Sequence, residues 1–195
     1  MHFRRVVPIA LVVGLLLLPG TADAQFDKVW QEWFGHIAAG YSAPQGDTGN
    51  LLSGGWNISG GATYKPNDWP IGIVMDLGYN DFGLTRDAVD FLDSTGGNAS
   101  IWSLTAGGIW SLKTGGLIGF NLQAGAGGYY SQGHLSDSGT VVDDSVSSFD
   151  FGFNFGAAIT FRLPSDSVIY LEAKYHWVDT QATSKFIPVV VGFRW

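Results

Sequence analysis

Residues able to do acid–base, metal or nucleophilic chemistry are sparse in this sequence. Its 195 residues hold 17 Asp and Glu, 10 Lys and Arg, 4 His and no Cys. Thiolate chemistry and disulfide bracing are therefore excluded. Beyond the N-terminal segment the histidines are His36, His134 and His176. His134 with Ser131 and Asp137 has the composition of a base, nucleophile and acid. In a chain this rich in Gly and Ser, such a grouping arises by chance. Asp87, Asp90 and Asp93, and then Asp137, Asp143 and Asp144, fall in turn-rich segments. Their spacing is not that of a calcium loop, so solvation is the plain reading and a loose gathering of divalent cations the alternative. Gly125-Ala126-Gly127-Gly128 is followed by no helical pattern and is not a phosphate-binding loop. No catalytic residue, metal ligand or cofactor is assigned.

The remaining charges matter through the elements that carry them. From Phe149 to Leu163 the odd positions are Phe149, Phe151, Phe153, Phe155, Ala157, Ile159, Phe161 and Leu163, and the even ones are polar or small. A helical period would scatter the phenylalanines, so this is a strand with one apolar face. Ile169, Leu171, Ala173, Tyr175 and Trp177 likewise oppose Glu172, Lys174 and His176. Ile187, Val189, Val191, Phe193 and Trp195 alternate with Pro188, Val190, Gly192 and Arg194. Further strands are expected near 100–113 and 116–131, with weaker ones at 36–42, 56–64 and 71–80. Long and short connections alternate, as in eight antiparallel strands whose ends lie on one side. Trp102 and Trp110 share a face, about 26 Å apart along their strand, roughly 20 Å in height at a tilt of ~40°.

Two architectures fit this alternation: a soluble sandwich or ligand-binding barrel with the apolar face inside, or a membrane barrel with it outside. The polar face is rich in Gly, Ala, Ser and Asn, which suits a narrow interior. The apolar face carries more Phe and Trp than eight strands can point inward. Only 14% of the residues are charged, too few to keep a soluble surface wet. The expected fold is therefore all-β: an eight-stranded antiparallel up-and-down transmembrane barrel over 36–195. Asp76, Asp150 and Glu172 then share the interior with Arg162, Lys174 and Arg194, the balance of an internal ion-pair network. Glu172 and Arg194, on strands joined by one hairpin, are expected to touch.

The N-terminus carries Arg4 and Arg5, an apolar run Val6–Leu18 and Ala22-Asp23-Ala24. That pattern is a cleaved signal peptide over 1–24, its apolar run too short to span a bilayer as a helix. Cleavage would remove two positive charges and one negative, so the net charge moves from −7 to −8. An acidic chain with no basic cluster is not built for nucleic acid. Residues 25–35 read as a periplasmic or interfacial segment. Phe26, Trp30, Trp33 and Phe34 recur at helical spacing there, as in a short amphipathic anchor.

The terminal segment Phe186-Ile187-Pro188-Val189-Val190-Val191-Gly192-Phe193-Arg194-Trp195, with Tyr170-Leu171-Glu172-Ala173-Lys174-Tyr175 before it, resembles the outer membrane protein beta-barrel family, the OmpA/OmpX-like barrels of Gram-negative bacteria. Members usually end in Phe, and Trp195 keeps the aromatic character. The resemblance implies an outer-membrane location and a final strand, marked by Val191, Phe193 and Trp195, read by the barrel-assembly machinery. It also implies periplasmic chaperones during biogenesis, outer-membrane lipids and lipopolysaccharide as surroundings, and a monomer. Some members modify lipid A using Ser, His and an acid, but His176-Trp177-Val178 has valine where that pattern has serine. The expected function is thus non-enzymatic: a structural and surface-interaction role through the outer loops. A narrow channel or carrier for small solutes is the alternative, and a lipid-modifying enzyme comes third.

Overall fold

Alternating apolar and polar residues can satisfy every backbone group inside lipid only if the strands close on themselves. A computed structural model describes residues 32–66, 69–91, 96–112, 117–136, 145–164, 167–179 and 183–195. The signal sequence, Phe26 and Trp30 lie outside these, as do Asp93, Asp137, Asp143 and Asp144.

Eight strands form a closed antiparallel barrel in sequence order. They are β1 (Trp33–Gln45), β2 (Leu52–Tyr64), β3 (Ile71–Leu84), β4 (Gly96–Leu112), β5 (Ile118–Ser136), β6 (Ser145–Arg162), β7 (Val168–Asp179) and β8 (Ser184–Arg194). Closure runs between β1 and β8, from His36↔Arg194 to Gln45↔Lys185. Gly35 and Trp195 extend it with paired backbone hydrogen bonds of 3.0 and 3.1 Å. Both ends of the barrel domain lie at one end of the barrel, here the inner end.

β1 begins at Trp33, three residues before the expected boundary. Trp33 and Phe34 are strand, not helix, because Trp33 pairs with Tyr64 and their rings sit 5.0 Å apart. At the outer end the strands outlast their alternation, with β4, β5 and β6 running 17, 19 and 18 residues. Two connections carry short helices, α1 (Asp47–Leu51) and α2 (Arg86–Phe91). Gly46 opens α1 at φ 58, a left-handed value suited to glycine. The α2 turn is tied down by Thr85 Oγ1, which donates to the Asn50 carbonyl at 2.8 Å and accepts from the Ala88 N–H at 3.2 Å.

The apolar face is outside. Ile37, Ile58, Ile73, Leu104, Leu122, Phe155 and Val191 are all exposed, while Ser42, Asn57, Asn80, Ser103, Gln123 and Asn154 are buried. This inversion is stable only where the outer wall meets hydrocarbon. Aromatic rings bound the apolar belt. Trp56, Tyr79 and Trp102 pack as tilted rings with centroids 5.1 and 4.7 Å apart toward the outer end, and Phe193 stacks on Trp195 at 6.0 Å toward the inner one.

Candidate functional site: the filled lumen

The barrel is filled in layers. At mid-height Asp76 (β3) is the hub. Its Oδ1 accepts from His36 Nε2 at 2.8 Å, and its Oδ2 accepts from Gln123 Nε2 at 2.7 Å and Lys174 Nζ at 2.8 Å. Lys174 also reaches Glu172 Oε1 at 3.2 Å. His36 is on β1, so it must cross β2 to reach Asp76. Gly61, paired with both, makes the crossing possible, because a Cβ there would stand 2.9 Å from His36 Cε1. Asp76 and Lys174 are each only 9% exposed, so each carries the charge that the other's burial requires.

Further out, Asn80 Oδ1 accepts from Ser42 Oγ and Asn57 Nδ2, both at 2.9 Å. Tyr129 OH shares a 2.9 Å hydrogen bond with His176 Nδ1. The His176 ring stacks on Phe186 at 4.7 Å between centroids, and Phe186 meets Phe82 edge-on at 5.7 Å. With Ile101, Val178 and Leu52, these rings make a dry layer near the outer mouth. Toward the inner end Tyr170 packs with Ala38, Ala158 and Val190, its ring capped by the Arg194 guanidinium at 5.4 Å. A cavity of about 30 Å³ remains among Asn57, Asp76, Lys174 and His176. It has room for water and little more.

Of the six charges expected in one internal network, Asp76, Glu172 and Lys174 come together. Asp150 sits near the outer mouth, accepting from Ser148 Oγ at 2.7 Å, and Arg162 is exposed at the inner end. These two lie twelve residues apart on β6, about 40 Å of strand, so one network cannot hold both. The expected Glu172–Arg194 contact is also corrected. Register puts Glu172 opposite Val190 and Arg194 opposite Val168. Glu172 binds Lys174 instead, and Arg194 caps Tyr170. His36 and Gln123 went unassigned in the sequence, although their alternation phase was readable.

The grouping of Ser131, His134 and Asp137 is not assembled as a site. Ser131 and His134 lie on opposite faces of β5, and Asp137 is outside the described residues. Val178, at the position of the absent serine, is fully buried in the dry layer. Asp87 and Asp90 lie in α2. Among the described residues no group of three His, Cys, Asp or Glu side chains is placed to hold a metal ion. Val191, Phe193 and Trp195 point outward on β8.

No family model matches the sequence, and no curated protein matches it either. Solved structures do match. Neisserial surface protein A superimposes with a TM-score of 0.60 at 14% identity, over 84% of this chain and 96% of that one. A major outer membrane protein from Thermus thermophilus gives 0.58 at 10% identity, over 84% and 98%. Ail, the attachment invasion locus protein of Yersinia pestis, solved with the heparin analogue sucrose octasulfate, gives 0.53 at 18% identity, over 84% and 99%. The chain has the fold of the eight-stranded outer-membrane β-barrels.

Proposed function

We propose that this protein is a non-conducting structural barrel of the bacterial outer membrane that presents its outer end to binding partners. The observation that carries this reading is the filled lumen: the Asp76–Lys174 layer and the dry Phe82–Phe186 layer stand in series across any path. A pore needs a continuous wet route, and a carrier needs a cavity matched to its cargo. A space of about 30 Å³ offers neither. An enzymatic role would need a nucleophile beside a base near the lipid headgroups, and the described Ser and His residues are not paired in that way.

In this reading export uses the N-terminal signal, chaperones and the assembly machinery receive the chain, and the outward row ending at Trp195 marks its last strand. Lipopolysaccharide and phospholipid surround the belt. The outer rim differs from a surface built for polyanions such as the one bound to Ail. Its described charges are Asp47, Asp81, Asp87, Asp90, Asp150 and Asp179 against Arg86 and Lys185. The decisive experiment is conductance across planar bilayers. The reading expects no stable current steps from the purified barrel. A reproducible open level would replace it with a channel. Lipid A mass spectra from expressing and non-expressing cells are expected to be identical.

A further inference from the structure

The wall carries a backbone irregularity at mid-height, where β7 meets β8. Their ladder runs from Val168↔Arg194 to Ala173↔Val189 and resumes in the same register at His176↔Phe186. Lys174 therefore stands opposite Pro188, and Tyr175 opposite Ile187. The closing seam fixes which way the backbone groups of β8 point. Gly35 and Trp195 exchange both of their hydrogen bonds, so odd residues of β8 turn N–H and C=O toward β1 and even residues turn them toward β7. Pro188 is even and has no N–H. The bond it forgoes is the one to the Lys174 carbonyl, while the β1–β8 ladder continues past it unbroken from His36↔Arg194 to Gln45↔Lys185.

A carbonyl without a donor is costly at this depth, because hydrocarbon supplies none. Among the described residues no side chain donates to it. On the lipid side Tyr175 and Ile187, half-buried and of outward phase, cover the gap. On the lumen side the cavity of about 30 Å³ touches both Lys174 and Pro188. Across that cavity stand Ser59 of β2 and Ser103 and Thr105 of β4, whose hydroxyls make no hydrogen bond among the described residues. Gly78 keeps this side open, since a Cβ there would stand 2.7 Å from Ser103 Oγ. His176 lines the same space, and with Nδ1 committed to Tyr129 its Nε2 is left for a partner there.

We propose that this cavity is a built site for two water molecules, one of which donates to the Lys174 carbonyl in place of the N–H that Pro188 lacks. The second carries the chain across the lumen to the hydroxyls of Ser103 and Thr105. The volume matches, because one water takes up about 10–15 Å³ measured in this way. The chemistry matches as well. The carbonyl needs a donor, the hydroxyls can donate or accept, and water does both within so small a space. An apolar filling would leave all of these groups unpaired. Pro188 in this way hydrates the wall from inside and ties β7 to β4 through water. The site lies between the Asp76–Lys174 and Phe82–Phe186 layers and breaches neither, so this inference and the closed-barrel reading can fail separately.

The test is a crystal structure of the mature barrel at a resolution that shows ordered water, with Pro188→Ala and the double variant Ser103→Ala, Thr105→Val solved beside it. The parent is expected to show a water about 2.7–3.2 Å from the Lys174 carbonyl oxygen, bonded in turn to a second water. Pro188→Ala restores the N–H, so the ladder bond should form, the first water should leave, and the amide at position 188 should exchange slowly in nanodiscs. The double variant keeps Pro188 and should lose the second water while the first stays. A parent carbonyl with no water on it overturns the proposal, as does a water that remains there in Pro188→Ala. An unchanged second water in the double variant overturns the bridge to β4. Density ringed by oxygens at about 2.3–2.6 Å overturns it in favour of a bound cation.

Discussion

Asp76→Asn is the sharpest probe of the lumen. The substitution keeps the shape but removes the charge that holds Lys174 Nζ at 2.8 Å and one of the two oxygens that accept from His36, Gln123 and Lys174. The new amide turns its N–H groups either toward His36 or toward Gln123 and Lys174. Removing one member of a buried ion pair costs about 3–5 kcal/mol. Lys174 keeps Glu172 at 3.2 Å, which places this case at the low end, near 3 kcal/mol. With a urea slope of ~2 kcal/mol/M the unfolding midpoint should fall by about 1.5 M. The assay is urea unfolding in phospholipid vesicles, followed by tryptophan fluorescence and gel mobility. Lys174→Met strands two carboxylates and should cost about as much. The double variant Asp76→Asn, Lys174→Met leaves Glu172 alone without its cation and should recover at least ~2 kcal/mol relative to the sum. A midpoint change under about 0.3 M for Asp76→Asn, or strict additivity of the two, would refute the reasoning.

Three other perturbations follow from the same packing. Phe186→Ala should destabilise the barrel by about 3–5 kcal/mol in the same unfolding assay, since the ring is fully buried against Phe82 and His176. Combined with Phe82→Ala it should still give no stable current steps, because the Asp76–Lys174 layer remains in series. Gly192→Val drives a side chain into the Tyr170 ring lying across that position and should cost about 2–3 kcal/mol, with Tyr170→Ala in the same chain relieving most of it. Trp195→Asp puts a carboxylate in the outward row and should abolish accumulation of heat-modifiable barrel in cells, whereas Arg194→Gln, facing inward onto Tyr170, should leave assembly near normal.

What sequence reasoning could and could not reach follows from what alternation encodes. Phe149–Leu163 shows a face and a period, so a strand and its outward side were readable. Alternation carries no height. Glu172 and Arg194 share the interior, but their level is set by the register of β7 on β8, which places Arg194 opposite Val168 and four residues from Val190, the partner of Glu172. His36 was legible in phase, yet its contact with Asp76 depends on Gly61 leaving room across an intervening strand. The outer ends of β3 to β6 were hidden for another reason. Beyond the lipid the outward face of Asp81–Leu84 and Gly96–Ser100 no longer meets hydrocarbon, while the inward face carries both Phe82 and Ser100, so the pattern disappears while the ladder continues. Phe82 of the dry layer sits in the first of those stretches, and Leu52 at the outer end of β2.

The central claim is that this chain turns its apolar face to lipid and fills its interior with polar side chains. The described tryptophans Trp33, Trp56, Trp69, Trp102, Trp110, Trp177 and Trp195 report on it together: Trp33, Trp56, Trp110, Trp177 and Trp195 are exposed on the outer wall, Trp102 is half-buried on its outward face, and Trp69 is exposed in the connection between β2 and β3. Quenching of their fluorescence by brominated phospholipids is the direct measurement. The account predicts strong quenching, greater for bromines near the carbonyl region than for those at the chain ends, with little access for aqueous acrylamide. Efficient acrylamide quenching with none from brominated lipid would contradict it.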